Sequence, residues 1–180
     1  TTDVFSGVAS WTFSTFSLAA GDRPQRLMGQ VVSANFFSTL GVRPALGRFF
    51  LPDEDVGRGA HPVVVLGDGG WRRLYGADPG VIGTTINLNG RAMEIVGVAP
   101  AGFRGVLHLV DPIAYVPLMQ LGEVQPERAG SFENRGNNFM NVVARLKDGV
   151  TPAQAADRLT AVNNELAATY PDDYVKSGGG

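Results

Sequence analysis

Apolar residues along this chain gather in short runs, several alternating with polar neighbours, which predicts more strand than helix. In residues 8–18 the alternation runs through Trp11 and Phe13, then resumes at Phe16 and Leu18 after a slip of one residue. A β-bulge at the slip is the expectation. Gly21-Asp22-Arg23-Pro24 is a turn signal, and residues 26–33 return as a second strand, so the pair is expected to form a hairpin. Ser33 or Asn35 is expected to cap a helical turn over residues 36–40, closed by Gly41.

Residues 41–62 are dense in Gly and Pro and read as an irregular surface segment. Phe49, Phe50 and Leu51 are its expected inward anchors, with Asp53-Glu54-Asp55 on the solvated side. Val63-Val64-Val65-Leu66 is continuous rather than alternating, the pattern of a buried strand. Asp68 is expected to cap the next helix, whose Trp71, Leu74 and Tyr75 share one face while Arg72 and Arg73 lie off it. Gly76 ends it. The strongest local signal lies in residues 84–97. There Asn89-Gly90, between apolar runs, supplies the positive φ values of a type I′ hairpin turn.

Pro100-Ala101-Gly102 breaks the pattern, residues 113–118 offer a further strand, and a Gly/Pro/Glu-rich loop is read up to Asn138. Met140, Val142, Ala144 and Leu146 alternate with Asn141, Val143, Arg145 and Lys147, predicting a half-buried strand. Thr151, Pro152 and Gln154 open a helix as N-cap, first-turn proline and capping-box partner. Its expected apolar stripe is Ala155, Leu159, Val162, Leu166 and Tyr170, and Pro171 stops it. Strands paired with near neighbours and two or three helices make an α+β pattern, not a βαβ array.

Composition narrows the function classes. The 180 residues carry 15 Lys+Arg against 17 Asp+Glu, a net charge of −2, and Arg72-Arg73 is the one adjacent basic pair. A nucleic-acid partner or an anionic membrane surface would ask for a basic face. Cysteine is absent, which removes disulfides, thiolate catalysis and sulfur-ligated zinc. No apolar run reaches the roughly 20 residues of a membrane helix. The abrupt start and the closing Gly178-Gly179-Gly180 read as a piece of something longer, the glycines as a linker.

The stretch GDGGWRRLYG, residues 67–76, has the strand–glycine turn–helix layout that holds phosphate in many proteins. It fails both fingerprints. Arg72 stands where the dinucleotide pattern needs glycine, and no Gly-Lys-Ser/Thr triplet exists. His61 and His108 have no partner at metal-ligand spacing and are read as buried or partly exposed structural residues. Asp53-Glu54-Asp55 lacks the rest of a calcium loop and is read as a solvated charge run. No Gly-x-Ser-x-Gly elbow is present, although a dispersed Ser/His/Asp triad is invisible to sequence. No catalytic, cofactor-binding or metal residue is assigned, and no cofactor is expected. A small secreted hydrolase and a β-rich extracellular interaction module stay open as alternatives.

Several stretches together resemble a known family. VSANFFSTLGVRPALGRFF (residues 32–50), HPVVVLGDGGWRRLYGADPGVIGTTINLNGRAMEIVGVAP (residues 61–100) and Tyr115-Val116-Pro117-Leu118 are similar, in order and spacing, to the periplasmic core domain of MacB/FtsX-type ABC-transporter permeases. Residues 141–170 fit the family's next strand and helix, and Ala99-Pro100-Ala101-Gly102-Phe103 looks most like its duplicated, large-permease branch. The resemblance implies a non-enzymatic extracytoplasmic (periplasmic) domain of a bacterial inner-membrane permease. Residues 1–32 with 119–180 would form a porter-like subdomain, and residues 33–118 an inserted, mostly antiparallel β subdomain of the sabre type. It further implies, as partners, the permease's membrane helices, a cytoplasmic ATPase, and a periplasmic adaptor or second permease half. The isolated piece is expected to be a monomer that transmits ATP-driven motion or binds cargo or partner proteins during export.

Overall fold

A computed structural model describes residues 3–20, 23–133 and 137–171. The expected turn at Gly21-Asp22 and the closing glycines lie outside these residues. The chain is α+β, and its strands share one mixed sheet.

Strand β1 (Phe5–Ala20) and β2 (Arg23–Val32) form the expected hairpin. A helical turn, α1 (Phe36–Thr39), and a two-residue strand, β3 (Leu46–Gly47), precede the buried β4 (Val63–Leu66). Helix α2 (Asp68–Tyr75) leads into the hairpin β5 (Thr85–Leu88) and β6 (Arg91–Val98), and β7 (Ala114–Pro117) follows a long connection. A single-turn helix α3 (Leu121–Val124), strand β8 (Asn141–Leu146) and helix α4 (Pro152–Thr169) complete the order.

The sheet runs β2-β7-β4-β6-β5-β1-β8, and β2 also pairs with β1, so six strands close into a ring from which β8 extends. Only the two hairpins pair locally. β2 with β7 and β4 with β6 are parallel, and β1 meets β8 from the far end of the chain. Pairing was expected to be local throughout. The difference follows from β4 and β7, whose apolar residues on both faces suit the middle of a sheet rather than a hairpin arm.

Each buried strand serves two cores. Val64 and Leu66, with Phe16, Leu18, Leu88, Met93, Ile95 and Val116, fill the inside of the ring. Val63 and Val65 face the other way, with Trp11, Val32, Phe36, Phe37, Phe50, Val96 and Tyr115. This explains the slip in β1. Its ladder with β2 is regular from Trp11 to Ala20, so no bulge lies there. Instead Trp11 and Phe13 belong to the outer core, while Phe16 and Leu18 belong to the inner one. The register shift that does occur lies between Phe5 and Gly7, where β1 meets β8.

Further expectations need correction. Neither Ser33 nor Asn35 caps α1 with its side chain: the Asn35 amide donates to the Val8 carbonyl, and Ser33 donates to Asn35. Of the three anchors, Phe50 is buried and Phe49 stacks on Phe37 at 3.8 Å between ring centroids, but Leu51 is 44% exposed. Among the described residues β8 is an edge strand with only β1 beside it. Val143 turns to the outer core, while Val142 is 65% exposed. The α4 stripe forms with its capping box intact, yet only Ala155 is buried, and Leu159 and Leu166 stay exposed.

Candidate functional surfaces

The glycine-rich turn is built by close chain approach. A Cβ on Gly67 would lie 1.9 Å from the Pro112 carbonyl oxygen, and one on Gly70 would lie 2.2 Å from that of Ile113. One on Gly69 would meet the Asp111 carboxylate at 2.4 Å. The connection into β7 therefore presses on the first turn of α2 and brings the Asp111 carboxylate beside it. Negative charge there suits the positive end of the helix. Asp68 does not cap: Gly67 is the N-cap, and the Asp68 carboxylate pairs with Arg72 at 2.9 Å one turn on. Trp71, Leu74 and Tyr75 pack onto the inner core as expected, and Gly76 ends the helix at φ 61°.

The acidic run is exposed at Asp53 alone, and its other two members are engaged. Glu54 is buried, and its carboxylate takes two guanidinium bonds from Arg48, at 2.8 and 2.7 Å, and the Leu51 N–H at 2.8 Å. Asp55 accepts the backbone N–H groups of Ala34 and Met119 at 3.0 and 3.1 Å, tying the segment to the residues before α1 and to those after β7. Burial is the largest influence on Glu54 and pushes its pKa up. The Arg48 and Leu51 bonds together outweigh it and hold the carboxyl below its ordinary 4.5. For Asp55 burial prevails and the pKa is raised. The missed signal was the spacing Arg48–Glu54, with the acid placed three residues after the N–H of Leu51.

A pH dependence follows. Glu54 is lowered on folding, so its stabilisation is full above the ordinary carboxylate range and is lost as pH falls through the lower folded value. Glu54→Gln is expected to cost about 1–3 kcal/mol at neutral pH. The gap to wild type should narrow as pH falls below the ordinary 4.5 and through the lower folded value, read as melting temperature against pH. Asp55 is raised and acts with the opposite sign, but it is common to both proteins and cancels in the difference.

His61 lines a shallow concavity of about 430 Å³ with Arg48, Glu54 and Glu94, but the Glu54 carboxylate there is already taken up by Arg48 and the Leu51 N–H. His61 and His108 are both exposed, so neither is the buried residue that one expectation allowed. Among the described residues no group of three His, Asp or Glu is placed to hold a metal ion. Tyr115, fully buried among Phe36, Phe37 and Phe103, has its phenol pushed far up by burial and by nearby Asp111. It is a packing group, with its Oη 3.5 Å from the Phe103 carbonyl. The most apolar concavity, about 730 Å³, lies between the start of β1, β8 and α4, lined by Phe5, Val8, Val142, Ala144 and Leu159. No described helix is long and apolar enough to cross a membrane.

The sequence pattern of the MacB-like periplasmic core domain matches residues 1–162. The fold is similar to that of the periplasmic region of MacB from Actinobacillus actinomycetemcomitans, with TM-score 0.70 and 18% identity, over 92% of this chain and 69% of that one. It is also similar to the extracellular domain of the noncanonic ABC-type transporter YknZ from Gram-positive bacteria, with TM-score 0.62 and 15% identity, over 91% and 78%. A domain of a putative permease protein from Porphyromonas gingivalis gives TM-score 0.58 and 18% identity, over 89% and 70%. No curated protein sequence matches the chain.

Proposed function

The chain belongs to the MacB-like periplasmic core domain family, and from that premise we propose that this extracytoplasmic permease domain works as a stiff, non-catalytic coupling element. Driven by a cytoplasmic ATPase through the membrane helices, it moves as a body and passes that motion to cargo or to a partner protein. The observation that supports this is the six-stranded ring with a core on each face, joined by strands buried on both sides. Interfaces packed in this way respond to force by rigid-body displacement rather than by gradual bending. The half-exposed groove at Val8, Val142 and Leu159 supports a second element of the proposal, a contact surface for an apolar partner.

The test uses the whole permease reconstituted with its ATPase. Phe37→Leu, which loosens the outer core without emptying it, should lower export per ATP hydrolysed while hydrolysis continues. His61→Ala, His108→Ala and Asp53→Ala should leave that ratio unchanged. Loss of export in the second set, with Phe37→Leu unaffected, would overturn the coupling role in favour of a chemical one.

A further inference from the structure

The ring closes at one seam of sparse backbone pairing, which one side chain reinforces. β5 meets β1 through one residue pair, Leu18 with Leu88. Next to it the backbone N–H of Asn89 donates to the Ser17 carbonyl at 2.9 Å. The Asn89 carboxamide then continues the ladder that the backbone cannot: its oxygen accepts the Ser17 N–H, and its nitrogen donates to the carbonyls of Thr15 and Val124. The same residue is the first of the turn pair Asn89-Gly90, with φ of 53° and 83°. A side chain serving as both turn former and seam clasp is chemically the least durable choice. In an Asn-Gly sequence the glycine nitrogen has no neighbouring Cβ to hinder its attack on the carboxamide.

We propose that Asn89 is a deamidation site gated by the seam. The Gly90 nitrogen attacks Cγ of Asn89, an N–Cγ bond forms and the Cγ–Nδ2 bond breaks. Ammonia leaves carrying the former Gly90 amide proton, and water then opens the cyclic imide to aspartate or isoaspartate. Cyclisation requires the carboxamide to rotate and to release Nδ2, so all three clasp bonds must first be given up. While the seam is shut the reaction waits on local opening. Once it has happened it cannot be undone by closing. A carboxylate has no proton for the Thr15 and Val124 carbonyls, leaving two acceptors facing an anion. Isoaspartate in addition lengthens the main chain within a two-residue turn. The modification therefore holds the seam open, converting a transient opening of the ring into a lasting one.

The experiment follows the tryptic peptide of residues 74–91 by mass spectrometry during incubation at mildly alkaline pH, native and in urea. Deamidation adds about one dalton, and Asn87, followed by Leu88 in the same peptide, is the internal control. Asn89 should react at least about tenfold more slowly in the native protein than in urea, with Asn87 unreacted in both. Equal native and urea rates at Asn89 would overturn the gating. Hydrogen exchange at the Ser17 amide supplies the second arm. Asn89→Asp should lose its protection, as should Asn89→Gly, which keeps the positive φ but has no carboxamide. Wild-type protection of Ser17 in Asn89→Asp would overturn the trapping.

Discussion

Gly67→Ala is expected to destabilise the domain by about 3 kcal/mol or more, lowering its melting temperature by roughly 6–12 °C. The backbone angles at Gly67, φ −69° and ψ 152°, suit alanine, so nothing in local conformation resists the change. The cost is spatial. The new Cβ meets the Pro112 carbonyl oxygen at 1.9 Å, a backbone atom held in place because the next carbonyl, that of Ile113, accepts the Gly67 N–H at 3.0 Å. Relief means moving β4 and the entry to β7 apart, and Leu66, Ala114 and Val116 of the inner core move with them. Gly76→Ala is the control. Its φ is positive but nothing lies within 4 Å, so it should cost only about 1 kcal/mol. Thermal melts of the two variants should differ clearly, and equal melting temperatures would refute the close-approach explanation of the glycines.

Phe37→Ala should cost about 3–5 kcal/mol. Phe37 is fully buried and stands at the centre of the outer core, stacked on Phe49 and within 6.0 Å, centroid to centroid, of Phe36, Phe50, Phe103 and Tyr115. Those rings come from α1, the 49–50 segment, the connection after β6, and β7, so the cavity would loosen four parts of the chain together. Phe37→Leu keeps most of the volume and should cost clearly less. Leu109→Ala, at a residue 77% exposed, should stay within about 0.5 kcal/mol of wild type. Urea denaturation of the three variants gives the order directly.

What was legible in the sequence was the local part. The Asn89-Gly90 turn, the α2 face, the β1–β2 hairpin and the capping box at Thr151 each depend on neighbours within a few positions, and the structure has them. The ring was not legible, because β1 with β8 and β2 with β7 pair across long separations that leave no local periodicity. The slip between Phe13 and Phe16 did carry the information that β1 serves two cores, but a one-residue slip reads equally well as a bulge. The capping roles given to Ser33, Asn35 and Asp68 failed because each side chain has another partner, and such competition is settled only in three dimensions. Helix α3 falls in a segment that reads as loop, because Gln120 and Gln125 at its ends lack the capping Ser or Asn and the closing Gly that mark the equally short α1. The likeness to permease domains depended on ordered motifs rather than on chemistry. It needed no knowledge of the ring.

Stiffness is the central claim, and it can be measured in the working transporter. The chain has no cysteine, so Arg43→Cys and Asn87→Cys, both exposed, place two spin labels at unique positions on one domain. Electron–electron distance measurements on the reconstituted permease, with and without ATP, then report the interior of the domain. Labels at Arg43 alone, one on each copy of a paired permease, report its movement as a body. The expected result is an unchanged distance between 43 and 87 with a shifted distance between the two copies. A nucleotide-dependent change between 43 and 87, with the distance between copies constant, would contradict rigid coupling.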